Sequence, residues 1–164
     1  MTEKYRNNVV NINKFSIGMT SAIVTSMGLI AGLAHGSNTR TSIIAGLLIF
    51  AIADNVSDSL GIHIYKESEG ASKQEISSST LGNFFMRLIL ALTFVVIVLL
   101  LPTNVAFIIS SLWGLVLLTI MSYLIARAKK TNPFREVVYH LVIAVMVIIG
   151  SKLLGNFITD HLSR

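Results

Sequence analysis

The 164-residue chain is 53% hydrophobic and only 13% charged, with a mean hydropathy of +0.73, which excludes an ordinary soluble domain and indicates an integral membrane protein. Its net charge of +5 does not indicate a nucleic-acid partner, because the basic residues cluster at the ends of apolar runs and form no stripe interleaved with aromatics. The absence of cysteine excludes disulfides and thiolate metal sites. The length predicts one domain over residues 1–164.

Five apolar runs are long enough to cross a bilayer, since a spanning helix needs about 20 apolar residues. The sequence therefore predicts an all-α integral membrane protein in contact with lipid, with transmembrane helices at about residues 15–33, 41–69, 81–101, 105–126 and 134–158. No signal cleavage site follows the polar N-terminal segment, so the first span is expected to remain. Residues 66–80, rich in Lys, Glu and Ser, are predicted to form a short solvated cytoplasmic loop.

The distribution of Lys and Arg predicts the orientation of these spans. With a cytoplasmic N terminus, ten of the 13 basic residues, Arg87 among them, fall on the cytoplasmic side. Only Arg40, Lys152 and Arg164 fall on the other side. The sequence thus predicts a C terminus outside, and the short five-span chain suits a prokaryotic cytoplasmic membrane.

Small residues recur along the first predicted helix, in the stretch "SIGMTSAIVTSMGLIAGLAHG". Gly18, Ser21, Thr25, Gly28 and Gly32 follow one another at steps of three and four, which places them on one face. Small side chains let helix backbones approach closely in lipid, so we expect this face, and its glycines above all, to pack against another helix. A hydroxyl such as that of Ser21 is also a candidate for lining a polar path.

The second predicted helix, in the stretch "AIADNVSDSLGIHIYKESEG", carries two aspartates within the span. Asp54 lies about 20 Å along the helix from Thr41, at about 1.5 Å per residue, and Asp58 follows one turn later. An aspartate at the centre of a spanning helix costs roughly 2.5 to 3.5 kcal/mol on insertion scales, so such residues usually face a bundle interior or a wet cavity and mark an ion path. The alternative is a carboxyl satisfied by hydroxyls and amides of a neighbouring helix.

The spacing of the two aspartates favours cation binding. Residues four apart share a helix face, which here also carries Ser57. Carboxylates so placed repel each other unless a proton or a cation binds, which suits exchange of a metal ion against protons. Oxygen ligands suit Mg²⁺, Mn²⁺, Ca²⁺ or Fe(II). The predicted metal ligands are Asp54, Asp58, Asn55, Ser57 and, from the first helix, Ser21, with water or a second subunit completing the coordination.

Three further ionisable residues lie at the predicted cytoplasmic end of the second helix. His63, Glu67 and Glu69 are candidates for collecting cations at the entrance of a path. The alternative interpretation is a solvated helix end anchored in the interface by Tyr65.

Three stretches of the chain resemble the vacuolar iron transporter (VIT) family: "SIGMTSAIVTSMGLIAGL", "AGLLIFAIADNVSDSLGIHIYKESE" and "FREVVYHLVIAVMVIIGSKLLGNFI". The resemblance depends on Gly18, on residues 45–47, on residues 57–61 and on the pair Ser68 and Glu69. It implies a homodimer that exports Fe(II), Mn(II) or similar ions from the cytoplasm in exchange for protons. It also implies a path lined by helices 1 and 2, with the metal ion as substrate and no permanently bound cofactor.

The chain departs from the family pattern at four places, one of which is Ser26, near which the family has a helix 1 proline. Ser21 stands where the family has a helix 1 aspartate, and Asp58 stands where it has a helix 2 methionine. The 66–80 segment is far shorter than the family's cytoplasmic metal-binding helices. Since a soft thioether ligand is lost and a carboxylate is moved from helix 1 to helix 2, these departures favour an ion harder than iron.

Two other classes of function compete with transport. A membrane protein of the same fold that moves no ion, acting as a scaffold or partner subunit, is the main alternative. An intramembrane enzyme is the other, because the D-x-x-x-D spacing resembles the metal-binding carboxylates of lipid-headgroup transferases. The upstream D-G-x-x-A-R element of those enzymes is absent, and aspartyl intramembrane proteases place their two aspartates on different helices, so no enzymatic activity is predicted.

Overall fold

The computed structural model describes residues 3–34 and 39–162, with side chains described for residues 18–34 and 40–161. Within this part of the chain the regular structure is entirely helical, which confirms the predicted all-α class. The helices are α1 (Glu3–Leu33), α2 (Thr39–Ser68), α3 (Lys73–Leu100), α4 (Thr103–Lys129) and α5 (Pro133–Leu162).

Helices α2 to α5 are each long and apolar enough to cross a membrane. The shortest of them has 27 residues, and at about 1.5 Å per residue it spans about 40 Å, more than the roughly 30 Å of a hydrocarbon core. Large apolar side chains such as Ile89, Ile108 and Leu153 cover their outward faces. In the described residues α1 contributes a shorter apolar stretch, Gly18–Leu33, so a fifth span and the orientation of the bundle stay predictions.

The polar segment between the second and third apolar runs is shorter than predicted. Helix α2 ends at Ser68, within one residue of its predicted end, but α3 begins at Lys73 and not near residue 81, so most of the predicted loop over residues 66–80 is helical. Gly70 adopts a positive φ of 69° after the end of α2, and the Ser72 hydroxyl accepts a hydrogen bond from the Glu75 amide at 3.3 Å, which caps α3. The polar composition of residues 66–80 indicates exposure to water but does not determine the backbone conformation, and α3 begins before its apolar run.

Helix α1 contacts all four of the other helices. Its buried residues Ile23, Met27 and Ile30 join a core that includes Phe94 of α3 and Leu118 of α4. This position of α1 places the Gly18 carbonyl oxygen 3.2 Å from Arg87 Nη1 of α3.

The glycines of α1 contact two different helices rather than one. A Cβ on Gly28 would lie 2.9 Å from Val147 Cγ1 of α5. A Cβ on Gly155 of α5 would overlap the carbonyl oxygen of Gly32, so glycines of both helices allow α1 and α5 to approach closely. Gly18 instead packs against α3, where a Cβ would overlap the Asn83 amide oxygen. The other small residues of this face, Ser21 and Thr25, are exposed.

Helices α2 and α3 form an antiparallel pair with the most extensive contact in the bundle. Arg40, at the start of α2, donates from Nε to the Val98 carbonyl at 3.2 Å and from Nη2 to the Leu99 carbonyl. These bonds satisfy carbonyls at the end of α3 that have no partner within the helix. The same antiparallel register brings the middle of α2 against the middle of α3, where the charged residues lie.

Candidate functional site

Arg87 is buried in the centre of the bundle, and its side chain is 1% exposed. The sequence-based assignment of Arg87 to the basic residues of the cytoplasmic side was therefore wrong. Because α3 begins at Lys73 and not near residue 81, Arg87 lies at the middle of the helix and not at its first turn. A charge in this position needs partners, since an unpaired ion in a low-dielectric interior costs several kcal/mol.

The Arg87 guanidinium, which belongs to α3, binds groups from two other helices, α1 and α2. Its Nη1 donates to Asp58 Oδ2 at 2.8 Å and to the Gly18 carbonyl at 3.2 Å. Its Nη2 donates to Asp54 Oδ2, and its Nε donates to Asn55 Oδ1 at 2.8 Å. The planar fork of arginine suits such convergent acceptors, so one side chain joins α1, α2 and α3.

The two carboxylates lie at the surface of the single chain, in front of the guanidinium. The side chains of Asp54 and Asp58 are 46% and 43% exposed. They were expected to face the bundle interior or a cavity, whereas in the structure Arg87 occupies the interior and the carboxylates lie outside it. Asp54 is near the middle of α2 (Thr39–Ser68), at a depth where the neighbouring surface side chains Ile52 and Val56 are apolar.

Each carboxylate uses the same oxygen for its internal bonds. Arg87 binds Oδ2 of both, and Asn83 Nδ2 also donates to Asp58 Oδ2 at 3.2 Å. Among the described residues, neither Oδ1 atom has a hydrogen bond. Two carboxylates and one guanidinium carry a net charge of −1, so the exposed side of this cluster is acidic and retains oxygen atoms that can bind a cation.

The structure brings only part of the predicted ligand set together. Asn55 is fully buried, with Oδ1 bonded to Arg87 and Nδ2 unpaired within the described residues. Ser57 is exposed on α2, and Ser21 is exposed on α1 with no hydrogen bond to either carboxylate in the described part of the chain. No group of three or more His, Asp or Glu side chains among the described residues could hold a metal ion, so the metal-ligating role of these residues stays a prediction.

The predicted entrance residues lie at the end of α2. His63 and Glu67 are exposed one turn apart, and Glu69 follows the last helical residue. The Glu69 carboxylate accepts hydrogen bonds from Lys66 Nζ at 2.8 Å and from the Tyr65 hydroxyl at 2.7 Å. These bonds, that of Lys66 above all, hold the pKa of Glu69 below its ordinary value. Glu69 is thus ionised at neutral pH but already paired with a cation.

The sequence analysis missed Arg87 and Asn83 as site residues, although the sequence contained a signal for them. Arg87 interrupts the apolar stretch "FFMRLIL", and an ionisable residue inside a span needs a polar partner. Asn83 and Arg87 are four residues apart, as Asp54 and Asp58 are, so two polar helix faces of matching period were available to pair.

Comparison of the chain with protein-family models, curated proteins and solved structures finds no match. The site is therefore interpreted from its own geometry.

Replacing both aspartates should destabilise the fold more than replacing both aspartates and the arginine together. In Asp54→Asn/Asp58→Asn the buried Arg87 loses its counter-charges, which we expect to cost roughly 3–5 kcal/mol of unfolding free energy. In the triple variant that adds Arg87→Met no buried charge remains, so part of this loss should be recovered. Denaturation of the purified protein in detergent measures both effects.

Asp160→Asn, at an exposed acidic residue of α5, is the matched control and should leave stability unchanged. A double variant as stable as the unmodified chain would contradict the assignment of the two aspartates as counter-ions of Arg87.

Proposed function

We propose that the chain is a transporter subunit through which a divalent cation such as Mn²⁺ or Fe(II) leaves the cytoplasm, in exchange for protons, past Asp54 and Asp58. The single observation that carries the proposal is a pair of half-exposed carboxylates at the middle of a helix with the length and composition of a membrane span. The resemblance to the VIT family supports the same function and implies a cytoplasmic N terminus. The short five-span chain suits the cytoplasmic membrane of a prokaryotic cell.

The exposed carboxylates support the presence of a second copy of the chain. Acidic side chains facing lipid at this depth are costly, so their surface must be covered by polar groups or water. Two-fold symmetric dimers are the commonest homo-oligomers of soluble proteins, and a two-fold axis near Asp54 and Asp58 would bring each pair against its own image. Ser57, on α2 with the aspartates, and Ser21, on α1, have exposed hydroxyls that would add polar groups to that interface.

The charge of two facing copies matches a divalent cation. Each copy contributes two carboxylates and one guanidinium, hence a charge of −1, so two copies together carry −2. One divalent ion neutralises that charge. The four Oδ1 atoms, with hydroxyls or water, supply the all-oxygen coordination that Mn²⁺, Mg²⁺ and comparable ions accept.

A non-transporting scaffold or partner subunit is the second candidate, and the Arg87 network favours it. Hydrogen bonds from Arg87 to α1 and α2 would stabilise the bundle whether or not a cation ever binds. In that case the aspartates serve only as counter-ions. The two functions differ in whether the purified protein moves an ion across a bilayer.

Uptake into proteoliposomes tests transport directly. Mn²⁺ entry, followed with an internal metal-sensitive dye while internal pH is recorded, should occur with the unmodified chain. It should fall about tenfold or more in Asp54→Asn and in Asp58→Asn, because losing a charged ligand costs at least about 1.4 kcal/mol of cation binding. Each single variant keeps one counter-charge for Arg87, so both should fold.

Asp160→Asn serves again as the matched control and should transport normally. If the unmodified chain moves none of Mn²⁺, Fe(II), Co²⁺, Mg²⁺ or Ca²⁺, the scaffold function is favoured instead.

The proposed dimer interface is testable because the chain contains no cysteine. A single Ser57→Cys substitution, on the exposed face beside the carboxylates, should give a disulfide-linked dimer under mild oxidation in membranes. Leu153→Cys, on an exposed apolar face of α5, should not. Equal cross-linking of both variants, or of Leu153→Cys alone, would place the interface elsewhere.

A further inference from the structure

We infer that Arg87 is the specificity-determining residue of this site: its fixed positive charge behind the carboxylates limits how tightly and how many cations the site binds. The inference rests on the proposed function. It assigns to Arg87 a role in selecting the cation, beyond that of a partner for the aspartates.

Two of the contacts of Arg87 hold it in place independently of the carboxylates. The bond from Nη1 to the Gly18 carbonyl, at 3.2 Å, and the bond from Nε to Asn55 Oδ1, at 2.8 Å, involve uncharged acceptors. The absence of a Cβ on Gly18 allows α1 to lie this close to α3, because a Cβ there would overlap the Asn83 amide oxygen and would also be in tight contact with Arg87 Cδ, at 3.2 Å. A cation that binds the aspartates therefore does not release the guanidinium.

From its position behind the carboxylates, the positively charged guanidinium repels any cation that they bind. It contacts Oδ2 of both carboxylates from the buried side, so a cation on the exposed side is separated from it by little more than the width of a carboxylate. Like charges at that distance repel strongly when the surroundings exclude water. Arginine does not lose its proton in proteins, so this repulsion is constant across the physiological pH range.

Arg87 makes the net charge of each carboxylate pair less negative by one unit, and this has two consequences for the transported ion. Without Arg87 each pair would carry −2, and two facing copies −4, a charge that favours trivalent ions or two divalent ions. With Arg87 the charge matches one divalent ion, and the weaker binding allows its release on the far side. Specificity thus arises from a repulsive group as well as from the ligands.

The test compares Arg87→Gln, which removes the charge, with Arg87→Lys, which keeps it, in the Mn²⁺ uptake assay. We expect Arg87→Gln to lower KM for Mn²⁺ at least about tenfold and to lower the maximal rate, because tighter binding slows release. La³⁺ should inhibit this variant more strongly than the unmodified chain. Arg87→Lys should keep KM within about threefold, and Arg40→Gln, the same substitution away from the site, should leave KM unchanged.

A second variant, Asn55→Asp, tests the effect of charge on KM while retaining Arg87. Asn55→Asp is isosteric and retains the acceptor for Arg87 Nε, yet it adds one negative charge beside the guanidinium. It should lower KM for Mn²⁺ in the same direction as Arg87→Gln. If Arg87→Gln does not insert stably, the result of Asn55→Asp decides.

The outcomes separate this inference from the proposed function. An unmodified chain that transports Mn²⁺, together with an unchanged or raised KM in Arg87→Gln and Asn55→Asp, overturns the role of Arg87 while transport stands. An unmodified chain that transports no cation overturns both. A lowered KM and a lowered maximal rate in Arg87→Gln, with a nearly unchanged KM in Arg87→Lys, support the inference.

Discussion

The buried guanidinium of Arg87 is the constraint on which the rest of the structure depends. An arginine at the centre of a helix bundle needs several acceptors, and α1 and α2 provide them through a carbonyl, an amide and two carboxylates. Meeting that need fixes the rotation of α2 and requires a glycine on α1 at the point of contact. The packing of three helices and the position of the acidic pair therefore follow from one side chain.

This constraint also explains why the carboxylates lie on the outside of a single chain. Arg87 occupies the buried side, so Asp54 and Asp58 bind it from the surface, and each retains an oxygen unbonded within the described residues. A surface of this kind is stable in water or against polar groups but costly in lipid. The proposed function accordingly places the cation where two such surfaces meet.

Much of the fold could be predicted from the sequence, but of the site only the residues of α2 were predicted and Arg87 was not. Apolar runs of spanning length identified the helices, and the four-residue step identified Asp54 and Asp58 as neighbours, because both signals are local. The start of α3 was not predicted, because Lys, Ser and Glu indicate exposure to water and do not determine the backbone conformation. The spacing of Ser72 and Glu75 was a signal for a helix start, and in the structure the Ser72 hydroxyl accepts a hydrogen bond from the Glu75 amide. Arg87 was counted as an interfacial charge because its partners are at least 29 residues away in sequence and are brought to it by the register between α2 and α3.

The binding stoichiometry of Mn²⁺ tests the central claim most directly. Calorimetric titration of the purified protein in detergent should give one saturable Mn²⁺ ion for every two chains, and Asp54→Asn should abolish it, because the charge of two facing sites matches a single divalent ion. Saturable binding of one ion per chain would contradict the shared site. The absence of saturable binding would contradict a cation site at these carboxylates altogether.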